Sequence, residues 1–332
     1  MPANMRVLVT GGAGFIGSEL VRQLVARGRD VVVIDNLVNG KPDNLDEVDR
    51  ARCELRIADV RDETAMSAAM AGVDVIYHLA CLGVRHSIHS PRENHDVNAT
   101  ATLSLLTLAR AARVPRFVYV SSSEVYGTAR RIPMDETHPV YPTTVYGASK
   151  LAGECYTRAY FSTYGYPTVV VRPFNAFGPR SHHEGDSGEV IPKFLLRALA
   201  GRPLVIFGDG TQTRDFTFVS DTAAGILAAG MTDAAVGDTI NIGSGASVSI
   251  AALADTIGRV AGRPIEVSHD EPRPGDVHDL CADSTKAAAI LRFSPSITLE
   301  NGIRRLHDWY VAHHTDPNEL LAHDRVRNWV VE

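Results

Sequence analysis

Six short apolar runs punctuate the first 175 residues: RVLVTG, DVVVIDNL, LRIADV, DVIYHLA, RFVYVSS and TVVVRPF. Several are β-branched almost without interruption, so strands made from them must be buried on both faces. Between them lie stretches such as 17–28 and 98–112, where apolar residues recur at helical spacing. Buried strands alternating with amphipathic helices predict an α/β architecture, a parallel sheet covered by helices on both faces. The chain has 332 residues and is 45% hydrophobic, which suffices for this sheet and a second, smaller core.

After about Asn175 the pattern changes. A polar, glycine-rich stretch, GPRSHHEGDSGE, leads into a helix expected from Ile191 to Ala200. Short strands follow at PLVIFG and DTINIGSG, with helices near 219–231, 248–261 and 299–313. We read residues 1–178 as the first domain and 179–314 as a smaller α+β domain, partly interleaved with it and lying at the sheet's carboxyl edge. Residues 315–332 form a tail with no legible role.

Between the first strand and helix, VLVTGGAGFIGSEL sets Gly11, Gly14 and Gly17 at the turn. Absent side chains permit a tight turn and let backbone amides approach a pyrophosphate at the helix N-terminus. Asp35 ends the second run, where a carboxylate accepts hydrogen bonds from adenosine ribose hydroxyls and repels a 2′-phosphate. The cofactor predicted is therefore NAD rather than NADP. Asp59, in ADVRD, supplies a further carboxylate after the third run.

YGASK puts Tyr146 and Lys150 four residues apart, on one face of a helix. A phenol titrates near 10, so service as a base at about pH 7 requires lowering by ~3 pH units, about 4 kcal/mol. One cation ~4 Å away supplies roughly that much at an effective dielectric of about 20. Lysine plus an oxidised nicotinamide is a sufficient source.

The glycine turn, DNL at 35–37, HLA at 78–80, SSSEVYG at 121–127 and YGASK together resemble the extended short-chain dehydrogenase/reductases, and among them the nucleotide-sugar epimerases and dehydratases. The resemblance runs from about residue 5 to about residue 310. It implies a doubly wound Rossmann sheet binding NAD, with a smaller substrate-binding domain. It implies Tyr146 as acid/base, Lys150 on the nicotinamide ribose and Ser122 as the second catalytic hydroxyl. Cofactor contacts are implied at Gly11, Gly14, Phe15, Ile16 and Gly17, at Asp35 and Asn36, at Asp59 and Val60, at Leu79 and Ala80, and at Tyr146 and Lys150. Substrate contacts are implied at Ser122, Ser123, Glu124, Asn175, Val190, Phe207, Arg214, Arg273 and Asp276. The two arginines suit a diphosphate, which a guanidinium fork grips bidentately.

Three reactions share this scaffold, all opening with oxidation of the sugar C4 hydroxyl. The dehydratases it resembles carry an Asp-Glu pair after the catalytic hydroxyl residue; Ser123-Glu124 stands here, which argues against dehydration. Ser-Glu does occur in the uronate decarboxylases, but PRPGDVHDLCADSTKA lacks the arginine pair they place beyond that turn. The reading is a UDP-sugar 4-epimerase, for UDP-glucose/UDP-galactose or UDP-glucuronate/UDP-galacturonate. Leu280 falls where epimerases tune room at C2, and Arg85, Arg180, His182 or His183 are candidates to meet a C6 carboxylate. A non-catalytic NAD-binding sensor would be expected to have lost the tyrosine, lysine or serine, and all three are present.

The net charge of −6 gives no basis for nucleic-acid binding. Cys53, Cys81, Cys155 and Cys281 form no CxxC pair and read as reduced thiols, with no metal site. The N-terminus runs directly into a strand and no long apolar segment appears, so the expectation is a cytoplasmic protein without membrane span. The resemblance implies a homodimer through helices near 98–112 and 148–163.

Overall fold

The computed structural model describes residues 5–185, 188–272, 277–313, 316–322 and 324–327. Its strands are β1 (Arg6–Thr10), β2 (Asp30–Asp35), β3 (Cys53–Ile57), β4 (Val75–His78), β5 (Arg116–Val120), β6 (Thr168–Pro173), β7 (Asn175–Phe177), β8 (Leu204–Phe207), β9 (Thr213–Phe218), β10 (Thr239–Ile242), β11 (Ser247–Ser249) and β12 (Val267–Asp270). Seven of them form one sheet in the order β10-β6-β5-β4-β1-β2-β3, every neighbouring pair parallel.

Both faces are covered. On one, Phe15–Ala26 and Val219–Met231 pack Leu20, Leu24, Ile226 and Leu227 against Val7, Val9, Val33 and Val169. On the other, Leu105, Leu106 and Ala109 from Ala101–Ala111 meet Leu8, Ile34, Ile76 and Phe117. The alternation of inward residues between the two cores along β1 and β2 is why these strands read as unbroken apolar runs.

One strand shows where the two domains interleave. TINI, expected in the smaller domain, is β10 at the edge of the main sheet, paired with β6 from Thr239↔Val170 to Ile242↔Pro173. Its neighbours Val219–Met231 and Thr285–Leu291 return with it to the first core. What remains of 179–313 builds a second core around Val190–Leu199, Ile250–Ala261 and Leu299–His313, with Phe177, Phe216 and Phe218 beneath. A three-stranded sheet (β11-β9-β7) and a β12-β8 pair complete it.

Strand order reverses between β1 and β4. At such a switch point the loops leaving the carboxyl ends part and open a crevice. No helix among the described residues is long and apolar enough to cross a membrane.

Candidate active site

A cavity of about 810 Å³ opens at this crevice and runs from the glycine turn to the second core, toward the upper end of the ~300–1,000 Å³ range of small-molecule sites. At its near end β1 hands over to Gly11, whose φ of +72° belongs to the left-handed region. A Cβ there would lie 2.6 Å from the Ala80 nitrogen, and one on Gly17 would lie 2.1 Å from the Gly11 carbonyl oxygen. The helix Phe15–Ala26 starts on Gly14 with no side chain capping it. Gly11, Gly14, Phe15, Ile16 and Gly17 all line the cavity, as do Leu79 and Ala80 across from them.

Asp35 lines it too. Its carboxylate accepts from the Ala13 amide at 3.0 Å and the Leu37 amide at 2.9 Å; burial raises its pKa while these bonds pull it down. The Gly40 backbone passes close enough that a Cβ would meet the carboxylate at 2.7 Å. Asn36 and Val60 line the wall, but Asp59 does not. Arg61 grips the Asp59 carboxylate with two nitrogens at 2.8 Å, and Asn36 donates to it at 2.8 Å. These bonds hold it far below the usual carboxylate range and engage with Arg61 the carboxylate expected at the cofactor. The side-chain-free turn and the fixed carboxylate fit a dinucleotide pyrophosphate and its adenosine ribose.

The middle of the cavity holds the hydroxyls. Val145–Tyr164 starts on Thr144, whose side chain accepts from the Gly147 amide at 3.0 Å. That cap sets the first turn, placing Tyr146 and Lys150 in the cavity wall. Tyr146 faces Ser122, which lies just past the end of β5 and accepts from the Glu124 amide at 3.2 Å. Ser123 and Glu124 line the wall beside it.

The expectation draws on the lysine together with an oxidised nicotinamide, and the protein's own groups show what those two charges work against. Burial is the dominant influence and holds Tyr146 well above its ordinary value, with Cys81 and Glu124 pushing the same way and Ser122 opposing. Lys150 gives its ammonium to the Val120 carbonyl at 2.6 Å and sits over the Tyr119 ring at 4.7 Å. Burial lowers its pKa, against Cys81 and Glu154. The closed apolar surround costs the phenolate more than this cation returns.

Farther along, Asn175, Val190, Phe207 and Arg214 line the cavity. The side-chain oxygen of Asn175 is buried without a hydrogen-bond partner, a cost of about 1–3 kcal/mol unless a ligand supplies a donor. Arg214 donates to the Thr213 carbonyl at 2.8 Å. Arg273 and Asp276 lie outside the described residues.

Of the four candidates for a C6 carboxylate, Arg85 and His182 line the cavity; Arg180 and His183 do not. Arg180 pairs with Glu47 at 2.6 Å, and His183 packs edge-on to Tyr310. Leu280 also misses the wall: it is buried with Val125 and Phe174, while Val277 of the same cluster lines the cavity.

The model of the NAD dependent epimerase/dehydratase family matches residues 7–243. The chain belongs to that family. As an epimerase/dehydratase it is an NAD-dependent enzyme, and the glycine turn and Asp35 are the residues that would hold the cofactor. The UDP-glucose 4-epimerase of Mycolicibacterium smegmatis is 37% identical over 92% of this chain and 98% of its own. A UDP-glucose 4-epimerase from Thermotoga maritima, solved with UDP-glucose, is 31% identical, covers 93% of this chain and 99% of its own, and superposes with a TM-score of 0.88. The UDP-glucuronic acid 4-epimerase of Bacillus cereus, solved with UDP-glucuronic acid and NAD, gives 31%, 93%, 99% and 0.86. Proteins named as decarboxylases and dehydratases are also among the relatives.

Against this family background, the sequence reading missed several residues of the wall. Cys81 lines the cavity beside Tyr146; only its place directly after HLA marked it. Glu189 lines the cavity near Arg85. Burial pushes its carboxyl up to about 8, while Arg85 draws it down. Lys193, Arg197, Asp324 and Val326 close the far end.

Proposed function

We propose that this enzyme is a UDP-sugar 4-epimerase acting on the UDP-glucose/UDP-galactose pair, with UDP-glucuronate/UDP-galacturonate as the second reading. One observation carries it: Tyr146 and Ser122 line one cavity that continues to the glycine turn on one side and to Phe207 and Arg214 on the other. When bound, NAD supplies a reversible hydride acceptor and a positive charge beside the phenol. Ser122 hydrogen-bonds the sugar C4 hydroxyl and Tyr146 takes its proton. Lys150, fixed on the Val120 carbonyl, holds its charge on the nicotinamide side of that proton path. The resulting 4-keto sugar turns its other face to the same pair, and Tyr146 returns the proton to the epimeric alkoxide.

Asn175 offers its orphaned oxygen to the substrate, Arg214 its guanidinium to the diphosphate, and Phe207 and Val190 apolar surface to the base. Ser123 in place of an aspartate leaves no second carboxylic acid to expel the C6 hydroxyl. The neutral-sugar pair is put first because the UDP-glucose 4-epimerases of Mycolicibacterium smegmatis and Thermotoga maritima match this chain over 92% and 93% of its length. The uronate pair draws on His182 and Arg85 lining the wall. Turnover compared on the two pairs tests this. Preference for UDP-glucose supports the first reading, a strong uronate preference replaces it with the second, and CO2 release from UDP-glucuronate replaces both with decarboxylation.

The enzyme is proposed to act as a homodimer through Ala101–Ala111 and Val145–Tyr164, which leave Leu103, Phe161 and Tyr164 exposed on adjoining surfaces.

A further inference from the structure

The chain's last described residues are tied to the substrate half of the cavity at three places. A short helix, Pro317–Leu320, starts on the Asp316 side chain and seats Leu321 in the second core. Beyond it Asp324, its side chain 4% exposed, takes Lys193 and Arg197 of Val190–Leu199, each at 2.8 Å. Lys193 also donates to the Arg325 carbonyl at 2.6 Å. Arg327 then makes a two-point pair with Asp270 at the end of β12, at 2.9 and 2.5 Å. Between these clasps, Asp324 and Val326 line the same cavity as Val190, Phe207 and Arg214.

We propose that residues 316–322 and 324–327 form a strap that closes the nucleotide end of the cavity over a bound uridine diphosphate moiety and must unclasp for the nucleotide to exchange. This rests on the UDP-sugar reading above. The strap's attachments are mostly polar: Leu321 is its one fully buried apolar anchor, and Val326 is 38% exposed. A segment held by a few ion pairs rather than an apolar face opens locally at far lower cost than the core.

The clasp also decides which cations a diphosphate meets. Lys193 and Arg197 stand on the cavity wall, and with the strap shut both are paired with Asp324. Relatives matched over 98–99% of their own lengths use only 92–93% of this chain, so the fold they share is complete without every residue present here.

The test is stopped-flow release of mant-UDP from full-length, NAD-loaded protein. Arg327→Ala opens the exposed clasp while leaving the cations of the cavity wall paired, and is expected to speed release about tenfold, with NAD content unchanged. A purely structural strap would lower the melting temperature without moving the release rate. Release from folded, NAD-loaded Arg327→Ala at the wild-type rate overturns the strap. If that variant does not fold, Asp270→Asn, which loosens the same clasp from the β12 side, decides, faster release supporting the proposal and an unchanged rate refuting it. Failure of wild-type protein to bind mant-UDP overturns the nucleotide reading itself and removes the strap's cargo with it.

Discussion

The Lys150 ammonium is bonded to the Val120 backbone carbonyl at 2.6 Å, which ties the catalytic helix to the end of the central sheet. Tyr146, Lys150 and Glu154 follow one another at four-residue steps on this helix, so the phenol, the cation and a buried carboxylate share one face. The lysine's position is set by backbone and burial, and a guanidinium does not fit a slot shaped for a single donor. Lys150→Arg is expected to lose most activity despite keeping the charge. Steady-state kcat on UDP-glucose checks this; turnover within a few-fold of wild type would show that charge alone suffices.

Tyr146→Phe should keep the fold and the bound cofactor, because the glycine turn and Asp35 would carry most of the grip on the dinucleotide. Its kcat should fall by ~10²–10⁴, the usual contribution of a positioned acid/base. Cofactor content after purification and single-turnover rates separate binding from chemistry.

Glu154 lies beneath the site with no side-chain exposure, bound by Arg172 at 2.8 and 2.7 Å and by Arg158 at 2.9 Å. Arg172 in turn donates to the Tyr126 hydroxyl at 2.8 Å. Arg172→Met strips the buried carboxylate of its main partner, at an expected cost of ~3–5 kcal/mol in urea denaturation.

Glu189 gives a pH signature. Its carboxyl is raised from 4.5 in the unfolded chain to about 8 in the fold. The folded state therefore binds the proton more tightly, and the stability this contributes is complete below 4.5 and is lost as pH rises through about 8. Glu189→Gln should flatten the melting temperature across that window and leave the variant more stable than wild type at its alkaline end.

The proposed dimer surface carries Leu103, 37% exposed, and Tyr164, 52% exposed, the latter covered on one side by Arg110 at 4.2 Å. Light scattering should give twice the chain mass for wild type and a shift toward the single-chain mass for Leu103→Asp.

Much of this was legible in the residues for a physical reason. Strands buried on both faces must be apolar throughout, so VVVI and VVVR announced themselves, and a turn that admits no Cβ announced itself at Gly11 and Gly17. TINI was legible as a strand, but nothing local says which sheet a strand joins; that is decided by the helices that carry it back. Charged side chains were the least legible. Asp59 turned to Arg61 and Arg180 to Glu47, 133 residues away, because a guanidinium takes the nearest carboxylate the fold brings it. The tail was opaque for the same reason: Asp324 has meaning only beside Lys193 and Arg197.

The most direct measurement follows UDP-glucose deuterated at C4 through the purified enzyme by proton NMR. Reversible oxidation at C4 through Ser122 and Tyr146 predicts UDP-galactose that still carries its deuterium at C4, with no net reduction of the cofactor. Loss of the label to solvent, or reduced cofactor accumulating in step with substrate consumed, would contradict the account.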